Sequence, residues 1–376
     1  MICSGRCALT KRNLTVRFGN TIQEVTCSEE PAGDQFLSPG FVDLQVNGFA
    51  GVDFNSPLAT LLEIARAIDT ILATGVTRFL PTVITGPPAD MLASLANLHR
   101  AQQELPRGRA MAGFHVEGPH IGPEDGPRGA HPARWVRPPD PDEFRRWQDV
   151  TCDNIRLVTL SPHWPDAPRY IETLVRAGVA VAIGHTSANP AQIAAAADAG
   201  ATLSTHLGNA GPALVAKQPN LYWEQLADDR LSASFIADGI HLSDSFLRAA
   251  ARAKGVDRTI LVTDAAAPAG AAPGRYRLGE LDVTLTPDDR VVLTGSQKLA
   301  GSALRMNRAI SYLAHIARVP LADAVVAATL NPARIIGLTR GLVRDHTADL
   351  VVFNSSLEIR CVFLDGEEIP LSARTA

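Results

Sequence analysis

Four residues far apart in the chain, Glu117, His185, His206 and Asp264, carry side chains that together could hold a metal ion and move a proton. Each ends a short apolar run: AMAGFHVEG (110–118), VAVAIGHT (179–186), ATLSTHL (201–207) and TILVTDA (259–265). Such runs read as buried parallel strands, and in a closed barrel the ends of parallel strands converge on one face. One carboxylate and two imidazoles would leave the fourth tetrahedral position of zinc open for water, as a catalytic site requires. Asp264 then reads as the shuttle that takes a proton from that water and delivers it to a leaving nitrogen. Singly, each histidine could be a hydrogen-bonded structural residue and Asp264 a helix cap. Their shared place at strand ends is what points to chemistry.

His115 lies two residues before Glu117, so strand alternation turns both side chains to the same face. It is expected to hydrogen-bond or pack behind the site rather than bind the ion. His131 in GAHP and His241 in ADGIH fall in loops after the third and seventh strands, where substrate contacts collect.

The elements that must position these residues follow a βα rhythm. Strands are expected at 41–48, 77–84, 110–118, 154–162, 179–186, 201–207, 231–239 and 259–265. Helices are expected at about 57–74, 88–103, 166–178, 190–199 and 243–254, with another starting near Ser302. Eight parallel strands in about 225 residues fit an α/β fold of the TIM-type (β/α)8 kind. A doubly wound sheet would open with a glycine-rich phosphate turn, and neither GxGxxG nor GxxxxGK[ST] occurs. The barrel is placed at 39–340, with a β-hairpin insertion at about 275–295 in RYRLGELDVTLTPDDRVVLTG. Residues 1–38 and 341–376 alternate as short runs such as NLTVRF and ADLVVF, with the turn pair Asp365-Gly366, and are expected to form one small β-sandwich domain.

A chain of 376 residues, 46% hydrophobic and 20% charged, can bury a large core. A net charge of -4 with both signs scattered argues against nucleic acid and against a polybasic membrane patch, leaving small-molecule chemistry. Five cysteines with no CxxC pair, and an opening MICSGRCALTKR without the apolar stretch of a secretory signal, lead to the expectation of a cytoplasmic protein.

With these residues in hand, the chain resembles the N-acetylglucosamine-6-phosphate deacetylases of the amidohydrolase superfamily. The blocks that carry the resemblance run nearly end to end: PGFVDLQVNGFAGVDF, FHVEGPHIGPEDGPRGAHP, GHTSANPAQI, THLGNAG, ADGIHL, LVTDAAAPAG, LAGSALRM and NPARIIG. The resemblance implies that Glu117, His185 and His206 hold the metal, that Asp264 is the acid and base, that His131 polarises the acetyl carbonyl and that His241 contacts a sugar hydroxyl. It also implies a homodimer in which Asn209, Ala210 and a basic residue, here Lys217, hold the substrate's phosphate. Most amidohydrolases carry an HxH pair on the first strand for a second ion, whereas this chain has Gln45 and Asn47. Carboxamides are weak zinc ligands, so one divalent ion per subunit is expected, zinc before iron, with Gln45 beside the substrate.

The segment after His206 departs from the family pattern. Lys217 keeps a positive charge but lacks the bidentate fork of arginine. Gly208 and Gly211 stand where larger residues are usual, and Tyr222, Trp223 and Glu224 replace a glycine-rich stretch. These changes leave open a related N-acetyl amino sugar, such as N-acetylgalactosamine 6-phosphate or an unphosphorylated sugar, or neutral repacking outside the pocket. A cyclic-amide hydrolase is disfavoured because the bridging lysine of a metal pair is missing from NIRLVTLSPH. A non-catalytic sugar-binding protein on the same fold is disfavoured because all four strand-end residues are intact.

Overall fold

A computed structural model describes residues 1–28 and 33–371. Eight strands, Phe41–Val46, Val76–Ile84, Phe114–Glu117, Ile155–Leu160, Ala180–Ile183, Leu203–Ser204, Ser232–Phe235 and Thr259–Leu261, pair in that order, each parallel to the next. The ring closes where Val46 bridges Ala265 and the Asn47 N–H donates to the Ala265 carbonyl at 2.7 Å. Runs such as FVDLQV and FHVE are buried at every position because helices cover the outside and side chains fill the inside.

The helices between the strands form for readable reasons. Leu61–Leu72 starts at a capping box in which Thr60 accepts from the Glu63 N–H and Glu63 reaches back. Its Ile64, Ala67, Ile68 and Ile71, spaced three and four apart, make the buried stripe, and each fully buried Ile side chain contributes roughly 1.5–3 kcal/mol. Pro190–Asp198 uses a second capping box, Asn189 with Gln192, and has proline at its first turn. The helix Pro141–Thr151 was not expected. Asp140 is its N-cap and Pro141 opens its first turn.

The terminal segments form a second sheet of seven strands, ordered Glu367–Glu368, Ile359–Leu364, Leu350–Phe353, Phe36–Pro39, Ile2–Cys7, Asn13–Phe18 and Ile22–Cys27. It is one continuous sheet that curls over its own core, where Phe18 and Phe363 from non-neighbouring strands meet edge to face at 5.0 Å. Strand alternation divides its faces: Val16, Phe18, Leu37, Leu350 and Val352 fill that core, while Val351, Phe353, Val362 and Leu364 pack onto the barrel. The proposed extents 1–38 and 341–376 include residues 29–32 and 372–376, which lie outside the described residues.

A buried ionic knot fastens this sheet to the barrel. Asp349, whose side chain is wholly buried, accepts from Arg78 of the second barrel strand at 2.8 and 3.2 Å, from Arg340, and from the Asp365 N–H at 2.8 Å. Arg78 also pairs with Asp365 at 2.5 Å. Asp349→Ala is expected to cost about 3–5 kcal/mol, because two guanidinium groups lose their shared buried partner. Urea unfolding checks this, and a change below about 1 kcal/mol would mean that water replaces the carboxylate.

After the eighth strand, Gly274–Leu278, Leu281–Leu285 and Val291–Leu293 form a three-stranded antiparallel unit where a hairpin is expected. Leu278, Val283, Leu285 and Val291 bury themselves against Ile84 and Ala300. The insertion therefore walls the barrel mouth.

Candidate metal centre and active site

Glu117 ends its strand, but His185, His206 and Asp264 stand two to three residues beyond Ile183, Ser204 and Leu261, where strands were expected to reach them. All three take left-handed backbone angles, with φ of 50°, 29° and 50°. Such angles are costly for residues with a Cβ and collect at functional sites. The change of hand ends each strand and coincides with side chains that turn over the barrel mouth. The His206 N–H is held by the Ser234 hydroxyl at 2.8 Å.

The side chains converge. Glu117 Oε1 lies 3.2 Å from His185 Nε2 and 3.0 Å from His206 Nε2, and one donor atom from each residue lies within 4.8 Å of the others. The far nitrogen of His185 faces the Pro127 carbonyl at 3.0 Å, which fixes the ring and turns Nε2 inward. The donor set, its spacing and its burial all fit a divalent ion bound to these three residues.

Gln45 and Asn47 are spent on the carboxylates. The Gln45 amide donates to Glu117 Oε1 at 2.7 Å and to Asp264 Oδ1 at 3.1 Å; the Asn47 amide donates to Asp264 Oδ1 at 2.7 Å. Among the described residues no donor engages Asp264 Oδ2, so one carboxylate oxygen is anchored and the other is not. Behind them, Asp43 accepts from the Thr263 hydroxyl at 2.6 Å and from the Thr263 and Gln45 N–H groups, tying the first strand to the segment that carries Asp264. Sequence reasoning missed Asp43, although its place two residues before Gln45 on the same strand face was a usable signal.

Burial dominates the electrostatics. Burial would raise the Glu117 pKa, yet His185 and His206 hold it well below the usual carboxylate range. Asp264 is pushed up to about 6, first by burial and then by the Glu117 charge. His131 is lowered to about 3, by burial and then by His185, so its imidazole is neutral. Its Nδ1 meets the Thr85 hydroxyl at 2.8 Å and its Nε2 lies 3.8 Å from Glu117 Oε2. Thr85 also escaped the sequence reading; it directly follows the second strand's last residue, Ile84. His115 is buried, with its ring between Thr82 and Thr159, and is not part of the cluster.

A cavity of about 270 Å³ opens above these groups. Its walls include Asn47, Glu117, His131, His185, His206 and Asp264, together with the expected substrate residues Asn209, Ala210 and His241. His241 Nδ1 pairs with Asp238 at 2.6 Å. Two expected substrate residues are not on this wall: Gln45 sits behind it in its bonds to the carboxylates, and Lys217 is exposed on the 212–219 segment. A larger hollow of about 460 Å³ shares Ile84, Leu278 and Leu281 with the cavity, but Glu117, His185 and His206 are absent from its lining.

Three of the altered residues after His206, Gly208, Gly211 and Tyr222, pack outside the cavity, while Lys217 and Trp223 are exposed. A Cβ on Gly211 would fall 2.2 Å from the Tyr222 hydroxyl, and one on Gly208 would fall 2.6 Å from Leu242 and Phe246. Tyr222, on the helix Leu221–Ala227, thus occupies the space a larger residue 211 would take, and its ring meets Phe246 at 6.4 Å. Gly211→Ala is expected to destabilise by about 1–3 kcal/mol through overpacking, and by less in a Tyr222→Phe background. Equal costs in both backgrounds, measured by denaturant titration, would show that the two residues do not compete for space.

The comparisons with known proteins agree with this geometry. Residues 36–369 match the model of the amidohydrolase family, to which the chain belongs, and whose members are metal-dependent. Its relatives include N-acetylglucosamine-6-phosphate deacetylases: one from Bos taurus is 33% identical, with 96% of this chain and 92% of the relative covered, and one from Bacillus subtilis is 31% identical, with 87% and 82% covered. A solved mutant of N-acetyl-D-glucosamine-6-phosphate deacetylase from Mycobacterium smegmatis, in complex with N-acetyl-D-glucosamine-6-phosphate, superposes with a TM-score of 0.91 at 31% identity, covering 98% of this chain and 99% of that one.

Proposed function

We infer that this chain removes the acetyl group of N-acetylglucosamine 6-phosphate, releasing glucosamine 6-phosphate and acetate. The observation that carries the reading is the buried trio Glu117, His185 and His206 with Asp264 beside it, in a chain related to such deacetylases over nearly its whole length. A divalent ion held by the trio would supply Lewis acidity, lowering the pKa of a water and polarising the amide oxygen.

The residues supply the rest. Asp264, anchored through Oδ1 by Asn47 and Gln45, takes the water proton on Oδ2 and returns it to the amine as the C–N bond breaks. Neutral His131, with Nδ1 accepting from Thr85, carries its proton on Nε2 and donates it as a hydrogen bond to the oxygen on which charge develops. His241, braced by Asp238, binds a sugar hydroxyl, and Asn209 and Ala210 contact the phosphate. One ion per subunit is favoured because the Gln45 and Asn47 amides point their N–H groups at carboxylates rather than offering an imidazole pair. Zinc suits two imidazoles and a carboxylate, with iron as the alternative. A cytoplasmic homodimer completes the reading: all five cysteines are free thiols, and Leu214, Val215 and Trp223 expose apolar surface beside Lys217. No described helix is long and apolar enough to cross a membrane.

Acetate release from N-acetylglucosamine, N-acetylgalactosamine and N-acetylmannosamine, each with and without a 6-phosphate, tests the proposal. The phosphorylated glucosamine derivative is expected to give the highest kcat/KM. A higher value for another sugar would move the assignment to that sugar, and no acetate from any would reject the activity.

A further inference from the structure

Among the described residues, Lys298 is the only lysine or arginine on the wall of the cavity that holds Glu117 and Asp264. It is half-buried, and among the described residues no carboxylate lies within ion-pair distance of its ammonium group and no hydrogen bond engages it. Its backbone is fixed: the Lys298 N–H donates to the Ser296 hydroxyl at 3.2 Å, and its carbonyl accepts from the Leu293 N–H at 2.9 Å. The wall continues through Leu299, Ala300 and Gly301 to Ser302, whose N–H donates to the Asp264 carbonyl at 2.9 Å. A short, bonded stretch of chain thus sets the lysine relative to the reacting carboxylate.

Charge gives the lysine a purpose. Glu117 and Asp264 bring two negative charges to the cavity, which a divalent ion would balance, and His131 is neutral. Lys298 is then the surplus positive charge on the wall. A long cationic side chain held against a cavity without a counter-ion loses hydration and rotamer freedom unless an anion meets it there. Lys217 cannot meet an anion in its own cavity, since it is exposed and off the wall.

Resting on the deacetylase reading above, we propose that Lys298 binds the substrate's phosphate from within the same chain. It is a specificity residue: it distinguishes phosphorylated from unphosphorylated sugar and takes no part in proton transfer.

Steady-state acetate release by the metal-loaded K298A, K298R and K217A proteins tests this, with N-acetylglucosamine 6-phosphate and N-acetylglucosamine as substrates and inorganic phosphate as competitive inhibitor. In K298A the KM for the phosphorylated sugar and the Ki for phosphate are expected to rise about tenfold to a hundredfold, the loss expected for a charge-assisted hydrogen bond. The ratio of kcat/KM between the two sugars should fall by the same factor, and K298R should restore most of it. A kcat loss shared equally by both sugars would mark a structural role and overturn the proposal. So would unchanged KM and Ki in K298A, and if K217A alone raised them the contact would belong to Lys217. A wild-type protein that releases acetate from neither sugar would reject the deacetylase reading itself, whatever the lysine variants do.

Discussion

Asp264→Asn is expected to keep its metal and lose about 10²–10⁴-fold in kcat, the range for removing a positioned general acid and base. The asparagine can keep the oxygen that accepts from Asn47 and Gln45, so the local framework has no reason to change. What would disappear is the oxygen to which the proposed mechanism assigns the proton at one step and its return at the next. Metal content should hold because the proposed ligands are Glu117, His185 and His206, not Asp264. Elemental mass spectrometry beside acetate release separates the two effects. A variant within about tenfold of wild-type kcat would remove Asp264 from the shuttle role.

Glu117→Gln is expected to fail differently, losing the ion together with the activity. Glutamine matches glutamate in shape, but a neutral amide is a weak zinc ligand, and only His185 and His206 would remain. The carbonyl of the substituted side chain can still accept from the Gln45 amide, so the carboxamide framework keeps this anchor and the loss is that of the charged ligand. Metal occupancy should drop below about a tenth and turnover by about 10³-fold or more. Chelation of the wild-type protein should reproduce the loss, and divalent ion should reverse it. Full metal occupancy in the variant would show that Glu117 is not a required ligand.

The barrel was legible because buried strands and periodic helices carry local signals: the runs around FVDLQV and FHVE, and the helices expected at about 57–74 and 190–199, appear in the structure as Phe41–Val46, Phe114–Glu117, Leu61–Leu72 and Pro190–Asp198. The convergence of Glu117, His185, His206 and Asp264 on one cavity was legible because all four follow apolar runs that read as parallel strands of one barrel. The left-handed turns at His185, His206 and Asp264 were not, since histidine and aspartate only occasionally adopt that conformation and their type alone does not say where. Nor was the use of Gln45. Its type reads as a missing histidine, whereas its bonds to both Glu117 and Asp264 depend on residues 72 and 219 positions away. Tyr222 posed the same difficulty. Alone it looks like a change of substrate, and only its contact with the bare Cα of Gly211 shows it as packing. Lys298 went unnoticed because nothing in QKLAGS places a lysine on a cavity wall; the three-stranded insertion does that.

The central claim is a deacetylase with one ion at Glu117, His185 and His206. Its most direct test is to strip the protein of metal and titrate a divalent ion back while following acetate release from N-acetylglucosamine 6-phosphate. Activity should start at background, rise linearly and level off at one bound ion per chain. A plateau reached only at two ions per chain, or full activity before any ion is added, would contradict it.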